Sequence, residues 1–511
     1  MLAYGFANKT IFTKNKALGV IKKQSISGSI YSYVGVVLGF IITALLYPRI
    51  FSTEEVGLLR VLVSYSTLFA QFAGLGLNAV TVKLFPYFRT KDQKHHGYLG
   101  LSLLISLVGF VIAASVYMLI RPAILNDAEG KSELFVTYFY YVVPLIFFTL
   151  LFNVFDTYYR VLYNAVKGIV VKEVIQRLSI LAVILLYFFD TISFHQTVVL
   201  YTLALISPTF LLFASLAKNK RLALKPDFKF IDNQLLKEML TVGFFGLVSS
   251  YSGVLVMNID VLMVNDMLGL SAAGIYSVTF FFGMLILIPL RTMGKISSVV
   301  IADAWKRNDL KTISDIYKKS SLSLSVIGIL LFIGIWGNID NVFLILKDDY
   351  LPGKMVIFYI GIANLLDISL GISPHIIINS KHYRYLSFFL IGFALLLIVS
   401  NLALIPEYGI VGAALASLFS KFIYNLVKFI FIYKKFGLQP FEIKHLVLIL
   451  IGLIAYFVST LIPVSSNFIV DIAVRSTVIL LAFGLPVYYF KISEDLNERI
   501  NSLVAEVKKH F

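Results

Sequence analysis

The residues of this chain best placed to do chemistry are the few ionisable groups set inside long apolar runs. Asp367 lies 13 residues into the run 355–378, with Asn364 three positions back on the same helical face. Lys421 lies equally deep in the run 409–433, with Ser417 and Asn425 four positions to either side. A charge in hydrocarbon is costly, so such groups face a partner or a water-filled cavity. A carboxylate and an ammonium at one depth suit a static ion pair that locks the helices. They equally suit a pair that opens to let a proton or cation bind, and the residues alone leave both open. Asp260 follows Asn258 at the outer end of the run 240–264. Lining an outward mouth, binding a coupling cation and anchoring a helix end at the interface would each suit it.

Arginine chemistry points to the chain's outer side. Guanidinium groups bind phosphate oxygens through paired hydrogen bonds, and Arg49 and Arg60 stand where basic residues are sparse. They are candidates for holding an emerging pyrophosphate, with interfacial anchoring as the plainer role. Asp156 and Arg160, spaced i,i+4 near Arg177, and Lys83 and Arg291 at helix ends, are candidates for meeting an anion on the opposite side; topology alone also accounts for them. Other chemistries are excluded. The chain has no cysteine, which removes thiol catalysis and thiolate metal sites. Its seven histidines are scattered, mostly in loops, and form no metal-spaced set. No Walker loop, dinucleotide fingerprint or helix-borne H-E-x-x-H is present, so no cofactor and no direct use of ATP are expected.

Those residues must be positioned by membrane helices. The chain has 511 residues, 59% hydrophobic and 14% charged, with a mean hydropathy of +0.87. Soluble proteins carry about a quarter charged residues, so much of this surface has to face lipid. A soluble enzyme, a secreted disulfide scaffold and a disordered chain are thereby excluded. A spanning helix needs about 20 mostly apolar residues. Clear runs lie at 26–47, 61–82, 98–120, 134–155, 196–217, 240–264, 272–290, 320–336, 355–378, 386–405, 409–433, 445–463 and 468–490. A weaker one at 168–189, interrupted by Lys172, Glu173 and Arg177, brings the expected count to fourteen. The first run is too long for a signal-peptide core and is expected to be retained.

Charge supports that count. With the N-terminus inside, 36 of the 44 basic residues fall on the inside, counting with that side Lys172 and Arg177 in the first half of the weak run and Lys428 near the inner end of the run 409–433. Six fall outside, namely Arg49, Arg60, Arg121, Lys131, Lys347 and Lys354, while Lys421 and Arg475 lie within spans. Cytoplasmic segments carry the Lys/Arg excess, and the alternation holds only if the weak helix is real. Both termini are therefore expected in the cytoplasm. The net charge of +16 is mostly this topology, and no nucleic-acid partner is expected.

A faint repeat runs through the chain. The segment from Phe51 to Leu59 joins the first two runs, and the segment from Gly269 to Tyr276 joins a later pair. Each puts a small or acidic pair and then a glycine at the start of a span, with Gly57 and Gly274 217 residues apart. Short loops can resemble each other by chance; a parallel repeat, with its pseudo-twofold along the membrane normal, is the other reading. The expected organisation is a basic arm and N-lobe over 1–217, a cytoplasmic linker over 218–237, a C-lobe over 238–436, and two further helices with a cytoplasmic tail over 437–511. Pro144 and Pro208 interrupt spans, Gly74 and Gly76 loosen one, and Pro289 ends one. Kinked packing accounts for such breakers, and so do carbonyls opened to a cavity. The 44 phenylalanines and 29 tyrosines are expected mostly against lipid and at the interfaces, a few suiting sugar stacking.

Certain motifs resemble those of a known family. Ser52-Thr53-Glu54-Glu55-Val56-Gly57 is similar to an S-x-E-E-[FY]-G turn, departing from it at Val56, where an aromatic is usual. Gly74-Leu75-Gly76-Leu77-Asn78 resembles a glycine-rich end of helix two. Asn258-Ile259-Asp260, followed by Ala273-Gly274-Ile275-Tyr276, resembles a signature of helices seven and eight. The sharpest match runs from Asn401 to Ala414 and is similar to N-x-x-L-I-P-x-Y-G-x-x-G-A-A. Over nearly its full length the chain resembles bacterial polysaccharide exporters of the O-antigen flippase type. Their superfamily also holds lipid II flippases and multidrug extruders of the MATE fold.

The resemblance implies an all-α polytopic membrane protein with two six-helix lobes plus two C-terminal helices. It implies a bacterial cytoplasmic (inner) membrane transporter, not an enzyme, that flips a polyprenyl-pyrophosphate-linked oligosaccharide by alternating access. Membrane lipids, a proton or sodium gradient and polysaccharide assembly proteins are the implied partners. The rivals are a cation-coupled drug or metabolite antiporter of the same fold and a membrane glycan polymerase or ligase. The latter generally needs a large outer loop, whereas the longest here spans only 337–354. The candidate substrate or ion residues are Asp367, Lys421, Asn364, Asn425, Asp260, Arg60 and Arg49.

Overall fold

The protein is described by a computed structural model covering residues 14–126, 132–463 and 465–510. The basic arm up to residue 13 and Lys131 lie outside the described residues. Within them every regular element is helical. In chain order the helices are α1 (Ser27–Ile50), α2 (Thr53–Ala73), α3 (Leu77–Phe88), α4 (His95–Pro122), α5 (Glu133–Val161), α6 (165–188), α7 (Phe194–Lys218), α8 (Asn233–Leu268), α9 (Leu270–Arg291, running on to Lys306), α10 (Leu310–Gly337), α11 (Asp348–Ser369), α12 (Ser373–Ile378), α13 (Arg384–Phe436), α14 (Ile443–Thr460), α15 (Phe468–Tyr489) and α16 (Glu494–His510). A short helix, Ile339–Leu346, precedes α11.

Twelve of these helices are long and apolar enough to cross a membrane. Large apolar side chains such as Leu119, Leu453 and Leu485 stand exposed on their outer surfaces, as lipid-facing groups must. The protein is a multi-pass membrane protein. Two features bear on the expected fourteen. The 53-residue α13 is broken at Gly409, whose φ of 59° and ψ of −139° are not helical. And α6 runs continuously through a π-helical turn, Val170–Ile175, although it carries Lys172, Glu173 and Arg177.

Local sequence explains where the helices start and break. Ser52 caps α2, its hydroxyl accepting from the Glu55 amide at 3.2 Å while Glu55 accepts from the Ser52 amide at 2.8 Å. Ser193 and Gln196 form the same box at the start of α7. Between α2 and α3 the chain turns at Leu75 and Gly76, with φ of 46° and 72°. The run expected at 61–82 is therefore two helices, beginning earlier than hydropathy indicates. The run expected at 355–378 is likewise two, α11 and α12, because the chain turns at Leu370–Ile372 with Gly371 at φ 53°. Pro374 then occupies the first turn of α12, where its missing N–H costs nothing.

The two repeat turns pack against each other. A Cβ on Gly57 would meet the Leu270 carbonyl oxygen at 1.9 Å, and one on Gly274 would meet that of Thr53 at 1.9 Å. Thr53 and Ser271 share a hydrogen bond of 2.7 Å across the crossing. The contact is reciprocal, as twofold relatives make it. Farther along, Gln71 donates to Ser250 at 2.7 Å, and Gly76 lies so close to Gly243 that only glycine fits. The first and second halves thus meet along α2, α3, α8 and α9, with one buried apolar cluster running through both. α14 and α15 pack on α10 through Ile333, Ala455, Ile479 and Phe483.

The segment 218–237 is fastened to the start of α4. The Asp227 amide donates to the His96 carbonyl at 3.0 Å and the Gly100 amide to that of Ala223 at 3.2 Å. The His96 ring stacks on Phe230 at 3.8 Å, with its Nδ1 3.1 Å from Asp227. That hydrogen bond holds the Asp227 carboxyl below the usual carboxylate range.

Candidate functional site

Helix α13 past Gly409 carries a polar stripe at Ser417, Lys421, Asn425 and Lys428, a spacing of 4, 4 and 3 that keeps one face. Against it stands Asp367, two residues before the end of α11. Lys421 Nζ lies 3.4 Å from one Asp367 oxygen and Lys428 Nζ 3.6 Å from the other. Lys421 also donates to the Asn364 side-chain oxygen. Asn364 is fully buried and is held in turn by its amide hydrogen bond to the Gly283 carbonyl at 2.8 Å. Four of the expected residues, Asp367, Lys421, Asn364 and Asn425, therefore come together.

Lys428 is the member that sequence reasoning missed. Near the inner end of the run 409–433 and six residues before Lys434 and Lys435, it reads in sequence as cytoplasmic flank. In the fold its side chain is 2% exposed, its ammonium 4.2 Å from the centre of the Tyr424 ring. The available signal was its i+7 spacing from Lys421 on the face of Asn425. Exposure falls along the group, from 22% for Asp367 through 14% for Lys421 to 2% for Lys428. Membrane helices turn such charges towards the bundle interior or a water-filled cavity as a rule.

Asp260 belongs to a neighbouring cluster. It is buried in α8 and accepts from Tyr276 at 2.9 Å, Asn401 at 2.7 Å and Ser417 at 2.5 Å. The carboxylate is enclosed by side chains and does not open on a mouth. It joins α8 and α9 to both parts of α13, including the Asn401 that opens the sharpest motif. The Asn401 side-chain oxygen is buried there without a hydrogen-bond partner among the described residues. Ser417 and Lys421, one turn apart, bring the Asp260 and Asp367 clusters into electrostatic reach.

Arg49 and Arg60 join neither cluster. Arg49 ends α1, exposed, its Nε 3.5 Å from the Ile345 carbonyl. Arg60 lies within α2 rather than before it, beside the hydrogen-bonded tyrosines 47 and 201. Asp156 pairs with Arg160 at 3.2 Å, which donates to Thr157 at 2.6 Å; Arg177 pairs instead with Glu173 at 2.8 Å. Arg475, within α15, pairs with Asp471 at 3.2 Å and donates to the Ser459 carbonyl at 2.7 Å, tying α14 to α15. No group of three or more metal-ligating side chains occurs among the described residues. An apolar groove of about 870 Å³ runs between α10, α11 and α14, walled by Phe332, Trp336, Phe358 and Tyr456.

An all-helical membrane fold with a charged cluster between α11 and the second part of α13 defines the class of protein. Residues 21–288 match the family described as polysaccharide biosynthesis protein, and the chain belongs to that family. The fold is shared with a solved lipid II flippase MurJ in an inward closed conformation, at a TM-score of 0.70 and 16% identity over 91% of this chain and 99% of that one. It is also shared with an inward-facing multidrug resistance MATE family transporter, at 0.60 and 12% over 80% and 98%. An outward-facing MATE family transporter matches at 0.56 and 13% over 84% and 99%. No curated protein matches the chain.

Proposed function

We propose that this protein is a flippase that moves a polyprenyl-pyrophosphate-linked oligosaccharide, an O-antigen or other surface polysaccharide unit, outward across the bacterial cytoplasmic membrane. What carries the reading is membership of a polysaccharide biosynthesis family on the fold of a lipid II flippase. In this reading the chain crosses the membrane fourteen times, counting α6 once and α13 twice, with both termini cytoplasmic. Residues 1–217 form the N-lobe, 218–237 the linker, 238–436 the C-lobe, and 437–511 the last two spans and tail.

Alternating access would turn on the α2–α9 crossing, where the two halves pack together at the outer end. The Asp367 cluster receives the anionic headgroup or the coupling ion, with Lys421, Asn364 and Asn425 as contacts. Asp260 is the second candidate for a coupling proton or sodium ion, supported by the unpartnered oxygen of Asn401 beside it. Arg49 and Arg60 flank the exit. The groove beside α10 suits an isoprenoid tail. One charge crossing the field supplies about 2.3 kcal/mol per 100 mV, enough to bias the cycle.

The fold it shares with MATE transporters keeps a cation-coupled drug or metabolite antiporter as second reading. Two lysines on one carboxylate favour an anionic cargo over a lipophilic cation. The segment 337–354, occupied by a short helix and a turn with Asp340 paired to Lys354 at 2.7 Å, favours a transporter over a polymerase or ligase. The test is purified protein in vesicles carrying a fluorescent polyprenyl-diphosphate disaccharide. Protein-dependent movement between leaflets is expected; export of a lipophilic cation without lipid movement would establish the antiporter instead.

A further inference from the structure

Asp367 has two ammonium neighbours, and they are not equivalent. Lys428 is enclosed, with the carboxylate at 3.6 Å on one side and the Tyr424 ring at 4.2 Å on the other, and Tyr424 is itself stacked on Phe393. Charge and ring face together hold an ammonium in place. Lys421 is more exposed, and its second partner is the neutral oxygen of Asn364. The end of α11 two residues beyond Asp367 adds about half a negative charge, which still leaves the immediate shell positive. The other carboxylate in reach is Asp260, whose oxygens are taken up by Tyr276, Asn401 and Ser417. Between the two lysines sits Asn425, 4% exposed, its amide beside Asp367 without meeting hydrogen-bond geometry to any described group. A buried amide with both atoms unpaired is costly unless a ligand completes it.

We infer that Lys428 is the resident counterion of Asp367, and that Lys421 with Asn425 forms an exchangeable site for a phosphate-type oxyanion. Because Lys428 alone neutralises the carboxylate, Lys421 can leave it at small cost, remaining tethered to Asn364. An entering diphosphate oxygen takes the Lys421 ammonium and the Asn425 N–H. Departure of the anion returns Lys421 to Asp367. Lys428 is thus a positioning residue that acts through Asp367, and Lys421 a binding residue. That the anion is the diphosphate of a lipid-linked sugar rests on the flippase reading; the anion site itself does not.

The test uses the purified full chain in nanodiscs with inorganic pyrophosphate as probe, read by calorimetry. Saturable binding is expected. Lys421→Gln should weaken it roughly tenfold or more, the size of one charge-assisted hydrogen bond, while Lys421→Arg retains it. Asp367→Asn, which frees Lys421, should tighten it. Lys428→Gln should weaken it, because Asp367 recaptures Lys421, and adding Asp367→Asn to that variant should restore it. Restoration is an outcome that a merely structural role for Lys428 does not give. Wild-type binding to Lys421→Gln, weaker binding to Asp367→Asn, or no binding to the parent chain would overturn the proposal. Should Lys428→Gln not fold, the Lys421 and Asp367 variants decide alone. Phosphatidylcholine vesicles containing a polyprenyl diphosphate should displace the probe. Lysine-dependent binding without displacement would keep the anion site and overturn the lipid-linked identity of its ligand.

Discussion

Removing the carboxylate of Asp367 leaves two ammonium groups without their shared partner, whereas removing Lys421 leaves Asp367 still held by Lys428 at 3.6 Å. Breaking a buried pair costs about 3–5 kcal/mol, and the partial exposure here moves the figure towards the lower bound. Asp367→Asn is therefore expected to abolish surface glycan with the protein still in the membrane, and to be more damaging than Lys421→Gln. In thermal stability the double variant should be milder than Asp367→Asn, since it removes one of the two orphaned charges. Glycan staining against membrane protein content checks the first and the melting temperature the second; additive losses of stability would separate the two residues. Asp260 is expected to behave differently. Asp260→Ala strips three donors of their acceptor, each left buried at about 1–3 kcal/mol, so the folded protein itself should be lost. A variant with the parent melting temperature and no transport would point to ion binding instead. Helical spacing made Asp367, Asn364, Lys421 and Asn425 legible before any fold was known. Lys428 was hidden by its neighbours Lys434 and Lys435. The partners of Asp260 were hidden because Tyr276, Asn401 and Ser417 are distant in sequence and meet only through packing.

In the proposed flippase the crossing of α2 and α9 is the element on which alternating access turns. The chain has no cysteine, so Thr53→Cys with Ser271→Cys introduces the only thiols, at positions whose hydroxyls lie 2.7 Å apart. Oxidation is expected to cross-link them and stop transport, with reduction restoring it. Undiminished transport in the cross-linked protein would mean that this crossing does not open. The clamp of residues 223–230 on the start of α4 gives a pH dependence with a definite sign. Asp227 ionises below the usual carboxylate range, so its contribution is present above that range and lost as pH falls through the depressed value. Hydrogen exchange at the amides of Asp227 and Gly100, taken relative to the intrinsic rate at each pH, should therefore stay slow at neutral pH and quicken at strongly acidic pH. Asp227→Asn should quicken it at neutral pH, and an unchanged rate would assign the clamp to the Phe230 stacking and backbone bonds. The repeat turns were legible as matching small-residue patterns, but nothing in their spacing announced that they touch. The break after Ser369 had signals in Gly371 and Pro374, outweighed by the continuous hydropathy around them.

For the whole molecule, hydropathy identified the membrane class and nearly every span, because lipid imposes length and composition on helices more strictly than water does. The weak helix at 165–188 was legible only through charge alternation, since its polar residues are absorbed by packing. Gly35 and Gly39 of α1 leave the room that Glu173 and Arg177 occupy. The net charge of +16 reads as an expectation of sidedness and says little about chemistry. In the proposed flippase the charges that matter to cargo are a buried few, and which of them meet is set by how α11 ends against α13. The central claim concerns what crosses the membrane, and one measurement addresses it directly. Lipid-linked oligosaccharide is quantified on each leaflet in a strain lacking this protein, with the parent chain or Asp367→Asn returned. Accumulation on the cytoplasmic leaflet, cleared by the parent chain and not by the variant, is the expected result. Normal amounts on the outer leaflet without the protein would contradict the account.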